Sequence, residues 1–122
     1  MAKRKSKPTV VDVLKRMRVL LRRGWTQGYY AHSKTGRQVE FYSKSAARFC
    51  LIGAEHRALT DLNAHDLGLN RPVQALIAKC AKVPRIEIVA YNDNPKRKKS
   101  EILQVVNCAI KTATATTHTG EK

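Results

Sequence analysis

Lysine and arginine are the residues whose number and spacing in this sequence most clearly indicate a chemical role. The 122 residues include 24 lysines and arginines against nine aspartates and glutamates, a net charge of +15. Residues 1–24 hold nine of the basic groups and one acid, and residues 95–122 hold six and two, while the middle of the chain is close to balanced. Cations concentrated in this way are typical of proteins that bind a polyanion such as RNA or DNA.

The cations expected to neutralise phosphates lie in three segments: an N-terminal arm, the exposed side of the first predicted helix, and a turn before the last predicted helix. They are Lys3, Arg4, Lys5, Lys7, Lys15, Arg16, Arg18, Arg22, Arg23, Lys96, Arg97, Lys98 and Lys99.

Three tyrosines in the segment that follows the first helix could add base stacking to these phosphate contacts. Tyr29, Tyr30 and Tyr42 are the candidates, since an aromatic ring can stack on an unpaired base. The sequence contains no helix-turn-helix, RRM, KH or OB pattern. We therefore expect a nucleic-acid-binding accessory protein whose binding is led by phosphate contacts, salt-sensitive and weakly sequence-specific. The alternative is a protein-interaction module that docks on an acidic host protein.

The cysteines and histidines do not form a recognisable metal or disulfide pattern. Cys50, Cys80 and Cys108 are spaced 30 and 28 residues apart, and each falls on an apolar face of a predicted helix. An odd number of cysteines without a CxxC pair predicts free, buried thiols in a reducing cytosol. The four histidines show no metal-ligand spacing. No metal or cofactor is expected.

Asn92 and Asp93 admit two interpretations. One is a polar site beside Tyr91 in which Asp93 serves as a base or ligand. The favoured one is a structural turn before Asn94 and Pro95, in which side chains bond to nearby backbone amides. Because no second catalytic group stands at suitable spacing, we predict that the protein is not an enzyme.

The element expected to organise the fold is a central helix over residues 45–59. This stretch is the longest apolar run, and its small residues, Gly53 and Ala54 among them, should let neighbouring elements approach closely. About four helices packed round this helix, with a small β-hairpin at about residues 26–42 and Gly36 at its tip, predict an α+β, mainly helical fold.

The other predicted helices follow from capping and periodicity. Thr9 should cap a helix over residues 10–23 that ends at Gly24. Asn70 should cap a helix over 71–82, and Ser100 should cap the last helix. The connection over residues 60–72 should hold at most a single turn, and residues 86–91 give a weak strand signal.

These elements define one globular domain over residues 9–111. Residues 1–8 are expected to be a disordered basic arm, and residues 112–122, which lack a large apolar side chain, a disordered tail. No apolar run is long enough to span a bilayer, and the basic N-terminus is not followed by the apolar segment of a signal peptide. A cytoplasmic location is therefore expected.

Three short motifs link the sequence to a known family. They are Gly24-Trp25-Thr26-Gln27-Gly28, the Cys-x-x-Gly-Ala pattern of Cys50 to Ala54, and Asn92-Asp93 followed by a basic turn and a final helix. Their order over residues 10–111 resembles a domain-of-unknown-function family of short bacterial and phage proteins. Tyr91 stands where that family has tryptophan. The resemblance implies a bacterial or phage source and a compact, mainly helical fold, and it implies no activity.

Overall fold

The computed structural model describes residues 7–120, with side chains described as far as residue 115. Within these residues the fold is α+β and mainly helical, as predicted. The elements in chain order are α1 (Val10–Arg23), β1 (Ala31–His32), β2 (Gln38–Val39), β3 (Arg48–Phe49), α2 (Leu51–Asp61), α3 (Asn70–Ala81), α4 (Ile88–Asp93) and α5 (Lys99–Gly120), with single 3-10 turns at His65–Leu67 and Arg85–Glu87.

Local capping signals set the limits of α1, which begins and ends where the sequence predicts. The Thr9 hydroxyl accepts from the Asp12 amide at 3.3 Å, and the Asp12 carboxylate accepts from the Thr9 amide at 2.8 Å. This reciprocal pair satisfies amides that have no partner inside the helix. The apolar face of α1 packs against α2 and α5. The exposed cations on the opposite face of the helix therefore point to solvent.

The predicted start of the central helix at Ser45 is wrong. Residues 48 and 49 form β3, which pairs with β1 in the register Ala31–Phe49 and His32–Arg48. Cys50 then caps α2, its Sγ accepting from the Gly53 amide at 3.3 Å. Sheet pairing, which is a contact between distant residues, therefore overrides the local helical pattern before Leu51.

The close approach predicted at Gly53 is present. Gly53 lies directly beneath the backbone of Tyr30, so that a Cβ added there would lie 2.8 Å from the Tyr30 carbonyl carbon. The central helix is thus locked against the segment that enters the sheet, because only glycine leaves room for that backbone.

The predicted hairpin is confirmed, although its strands are short. β1 pairs with β2 in antiparallel register, and Gly36 adopts a φ of 89° at the tip. The third strand is β3, which gives the order β2-β1-β3. The weak strand predicted at 86–91 is wrong, since this stretch lies in the second 3-10 turn and in α4. Ile86 is 89% exposed, so the alternation there does not define a buried face.

The predicted caps of the later helices are displaced by one or two residues. α3 includes Asn70 and has Leu69 at its cap position without a side-chain bond. Ser100 lies inside α5, and the Glu101 carboxylate instead accepts from the Lys98 amide at 2.9 Å. The single turn predicted in the connection is confirmed by the 3-10 turn at His65–Leu67.

The end of α5 differs from the predicted tail. The helix continues through residues 112–120. Ala113 is buried and extends the row of Val106, Ala109 and Ile110 along the core-facing side. A small apolar residue at helical spacing is therefore enough to continue this face where large apolar residues are absent. Residues 1–6 of the predicted basic arm and the last two residues of the tail lie outside the described part of the chain.

The prediction of three free thiols is also wrong. Cys80 of α3 and Cys108 of α5 form a disulfide across Cα atoms 5.9 Å apart, whereas Cys50 is free and buried. Packing of α3 against α5 brings the two thiols together, a juxtaposition that spacing along the chain does not reveal. The inference of a reducing cytosol rested on unpaired thiols and loses that support.

Removing this disulfide is expected to destabilise the protein. Cys108→Ser should lower the free energy of unfolding by about 3–4 kcal/mol, because the bond restricts a 28-residue separation in the unfolded chain. Cys108 is exposed, so the change should disturb packing little. Urea unfolding without reductant measures the difference. Wild-type protein treated with a thiol reductant is the control, and its free energy of unfolding should equal that of the variant. Equal free energies of unfolding for the oxidised wild type and the variant would contradict the expectation.

Candidate nucleic-acid interface

The predicted cations of α1 lie on two strips of the helix surface. Lys15, Arg18 and Arg22 follow one strip, whereas Arg16 and Arg23 are seven residues apart and share another. Lys15, Arg22 and Arg23 are exposed. These three side chains are presented to solvent by a helix whose opposite side is buried.

Two of the α1 arginines are instead held by neighbouring elements. The Arg16 guanidinium pairs with the Asp61 carboxylate of α2 at 2.8 Å, and Arg18 donates to the Asn107 side-chain oxygen of α5 at 2.9 Å. Asp61 offsets part of the charge of Arg16, whereas Arg18 keeps its charge, and the fold fixes the positions of both side chains. The sequence pattern alone does not separate these two from the exposed cations.

The basic turn before α5 is similarly divided. Lys96 and Lys98 are exposed. The Arg97 guanidinium lies 3.6 Å from the centre of the Tyr91 ring and donates to the Tyr91 carbonyl at 2.9 Å. Arg97 therefore fastens the turn to α4 through cation–π and hydrogen-bond contacts.

Lys99 joins this turn to the end of α1. Its ammonium group donates to the Arg22 carbonyl at 2.7 Å, one of the carbonyls at the negative end of the α1 dipole. Two segments separated by more than 70 residues thus meet at this contact. We refer to the cations beside it, Arg22, Arg23, Lys98 and Lys99, as the basic surface.

A concave site that the sequence did not predict adjoins this surface beside α1. We call it the α1–β3 pocket; it encloses about 360 Å³ and none of its lining residues is acidic. Three of its cations, Lys34, Arg48 and Arg57, were absent from the predicted set. The lining residues are Arg16, Leu20, Arg23, Lys34, Ala46, Ala47, Arg48, Phe49 and Arg57.

The predicted stacking tyrosines are not equivalent. Tyr42 is 61% exposed and is flanked by Phe41 and Ser43, whose carbonyls accept from Arg57 at 2.9 and 3.1 Å. The backbone on either side of Tyr42 is therefore bonded to Arg57, a residue that lines the α1–β3 pocket. Tyr29 and Tyr30, with centroids 5.7 Å apart, line a separate cavity of about 250 Å³ together with Cys50 and Asp93.

Asn92 forms a buried polar junction between three segments. Its side-chain oxygen accepts from the Trp25 indole at 2.8 Å and from the Leu51 amide at 3.0 Å. Its side-chain nitrogen donates to the Thr26 carbonyl at 3.1 Å and to Asp93 at 2.9 Å. The arrangement connects the end of α1 to the start of α2.

Asp93 and Asn94 also make backbone contacts. Asp93 accepts from the Gly28 amide at 3.0 Å, and Asn94 accepts from the Lys96 amide at 2.9 Å in an Asx turn. The contacts support a structural role for this motif, but the predicted local turn is wrong for Asn92 and Asp93. Both lie in α4 and bond mainly to distant segments of the chain, whereas Asn94 alone makes the turn contact. The expectation that the protein is not an enzyme stays a prediction.

Two buried ionisable groups lie outside the basic surface. Burial raises the pKa of the Cys50 thiol above its ordinary value. Burial also raises the pKa of Glu55 to about 7, against the opposing effect of a 2.8 Å hydrogen bond from Gln74. The second Glu55 oxygen has no hydrogen-bond partner in the described structure. Across the described residues there is no grouping of three or more histidine, cysteine or acidic side chains able to hold a metal ion.

The fold and the site define a class: a small, mainly helical α+β protein with basic residues grouped at the C-terminal end of α1. The chain belongs to a family of unknown function, DUF6197, whose family model matches residues 5–112. This confirms the predicted membership of a domain-of-unknown-function family. No significant match was found among curated proteins or among solved structures. In the described part of the chain, no helix combines the length and the apolar character needed to cross a membrane.

Proposed function

We propose that this protein binds RNA or DNA through the basic surface round the C-terminal end of α1, with weak sequence specificity. The observation that carries the proposal is the contact of the Lys99 ammonium group with the Arg22 carbonyl. It joins the cations of α1 to those of the turn before α5. A positively charged surface attracts phosphates. Binding is favoured because it releases the counterions condensed on the nucleic acid.

Individual cations have different roles in this proposal. The exposed side chains of Lys15, Arg22, Lys96 and Lys98 are placed to reach phosphates. Arg16, Arg18 and Arg97 are held by protein partners and contribute mainly to the electrostatic potential. Lys3, Arg4 and Lys5 lie outside the described residues and keep their proposed role as an additional basic arm.

Binding rather than catalysis is proposed because the polar groups at the Asn92 junction are committed to structural hydrogen bonds. The contacts made by the exposed cations would be to phosphates, which are the same for every sequence. The exposed Tyr42 ring would add stacking on an unpaired base, a contact that tolerates any base. Phosphate contacts should therefore supply most of the affinity.

Binding of a fluorescently labelled single-stranded oligonucleotide should weaken steeply with salt. If about six phosphates are neutralised, affinity for a single strand should fall about 300-fold between 50 and 200 mM salt. The Lys15→Gln/Arg22→Gln double variant should lower the slope of log affinity against log salt by about 1.4. Fluorescence anisotropy measures both quantities, and a double-stranded probe of the same sequence compares the two forms of nucleic acid.

Lys79→Gln/Arg71→Gln is the matched control, since it removes the same charge from exposed positions of α3. This control should change the slope much less than the α1 variant. No binding at 50 mM salt, or an affinity that salt does not alter, would overturn the proposal. In that case, an acidic protein retained after nuclease treatment would point to the alternative partner, an acidic host protein.

A further inference from the structure

Three of the four arginines that line the α1–β3 pocket, Arg16, Arg48 and Arg57, are held in place by protein contacts before any ligand binds. The two carboxylate oxygens of Asp61 accept from different guanidinium groups: Arg16 at 2.9 Å and Arg57 at 3.0 Å. Arg57 is also bonded to the carbonyls of Phe41 and Ser43 and lies 5.6 Å from the centre of the Phe49 ring. Both guanidiniums are thus fixed side by side.

The remaining cations enter the pocket from the hairpin, β3 and the end of α1. Arg48 donates to the Lys34 carbonyl at 3.2 Å, which holds its guanidinium beside the hairpin tip. Within the described residues, the Lys34 ammonium and Arg23 guanidinium groups have no hydrogen-bond or ion-pair partner from the protein. These groups remain able to bind an anion.

The charge of the pocket is strongly unbalanced. Arg16, Arg23, Lys34, Arg48 and Arg57 bring five positive charges, and Asp61 supplies one negative charge, which leaves +4 round a space of about 360 Å³. Like charges converging on a concave surface repel one another, and the repulsion is strongest where water is partly excluded. A bound anion of high charge would relieve this repulsion.

We infer that the α1–β3 pocket binds a phosphate monoester, the chemical group present at a phosphorylated strand end and in a mononucleotide. A monoester carries up to two negative charges and three free oxygens, which can accept from the unbonded Arg23 guanidinium and Lys34 ammonium groups and from the remaining N–H groups of Arg48. An internal phosphodiester has one charge and continues in both directions along the strand, which suits an open groove better than a concave pocket. Leu20, Ala46 and Ala47 provide apolar surface for the attached sugar or base.

This inference deepens the proposed function, because a strand end held in the pocket would place the following phosphates on the surface that contains Arg22 and Lys99. The two remain separable by experiment. The pocket requires a terminal phosphate, whereas the surrounding surface requires only a chain of phosphates.

The test compares one short oligonucleotide in three forms: 5′-phosphorylated, 3′-phosphorylated and unphosphorylated. One phosphorylated form should bind about tenfold more tightly than the unphosphorylated form, as expected when two or more arginine contacts form to one group. Arg48→Gln and Lys34→Gln should each remove most of this preference. Lys96→Gln, outside the pocket, should weaken all three forms by the same factor.

Free adenosine monophosphate and inorganic phosphate distinguish the two sources of the monoester. If submillimolar adenosine monophosphate displaces the phosphorylated oligonucleotide from the wild type but not from Arg48→Gln, the pocket binds a free monoester as well as a strand end. Preference for a phosphorylated oligonucleotide without such competition would assign the pocket to strand ends. Thermal unfolding and circular dichroism check that Arg48→Gln and Lys34→Gln keep the fold, which removal of exposed cations should not disturb.

Equal binding of the three oligonucleotides with no mononucleotide competition would overturn the inference while leaving the proposed function intact. Mononucleotide binding without any oligonucleotide binding would have the opposite effect, since it would support the pocket and overturn the proposed function. If Arg48→Gln and Lys79→Gln weakened binding of the phosphorylated strand by the same factor, the pocket would not bind the terminal phosphate and the inference would fail.

Discussion

Replacing Asn92 with alanine is expected to lower the free energy of unfolding by about 3–5 kcal/mol. Asn92 is 1% exposed and its side chain makes four hydrogen bonds. Alanine would leave the Trp25 indole and the buried Leu51 amide without their acceptor. An unsatisfied buried donor costs about 1–3 kcal/mol, and two are created.

Chemical denaturation followed by Trp25 fluorescence measures this loss, since the indole is itself one of the partners. Asn94→Ala is the matched control. Asn94 is exposed and its side chain accepts from one amide in a turn, so its removal should cost about 1 kcal/mol or less. Asn92→Asp keeps an acceptor for Trp25 and Leu51, but loses the bond to Thr26 and places a charge against Asp93.

A small effect of Asn92→Ala, within about 1 kcal/mol of the Asn94→Ala value, would contradict this account of the junction. It would mean that water or a shifted side chain satisfies the two donors. The two interpretations of the Asn92–Asp93 motif also predict different results. A structural junction loses stability when Asn92 is changed, whereas a functional site commonly does not.

The stability of the protein is expected to fall as pH rises between about 4.5 and 7, because of Glu55. The native pKa of Glu55 is about 7 against an ordinary value of 4.5. The folded state therefore binds the proton more tightly, and the favourable contribution is complete below pH 4.5 and lost as pH rises through about 7. A difference of this size corresponds to about 3 kcal/mol.

The surroundings of Glu55 explain the direction of this change. The side chain faces Gln74, Met17 and the apolar residues Val73, Ile77 and Ile88, and none of these carries a charge. Ionisation thus places a charge in an apolar site where one carboxylate oxygen has no partner. Protonation removes most of this cost.

Glu55→Gln isolates the effect, because an amide has the shape of the protonated acid and does not ionise. Urea unfolding at pH 4.5 and pH 8 should show similar stability for variant and wild type at the lower pH. At pH 8 the variant should be more stable by about 2–3 kcal/mol. Burial lowers the pKa of His56, which by itself makes both proteins more stable as pH rises. Because this contribution is the same in variant and wild type, it cancels when their free energies of unfolding are subtracted. If the difference in free energy of unfolding between Glu55→Gln and wild type were the same at both pH values, the expectation would be contradicted.

Local signals in the sequence determined the elements whose limits depend on nearby residues. Thr9, Asp12 and Gly24 set both ends of α1 through contacts within four residues of the helix ends. Gly36 marks the hairpin tip, since its positive φ is a property of one residue. The excess of positive charge and the family membership were also readable from the sequence, as was the mainly helical fold class.

The tertiary structure alone decided the features that depend on residues far apart in the chain. Pairing with β1 turned residues 48 and 49 into a strand and delayed α2 to Leu51. Packing of α3 on α5 brought Cys80 to Cys108, and folding brought Lys34, Arg48 and Arg57 beside Arg16 and Arg23. The physical reason is that strand pairing, disulfide formation and a concave charge cluster are set by distances in space. Composition and periodicity record only distances along the chain.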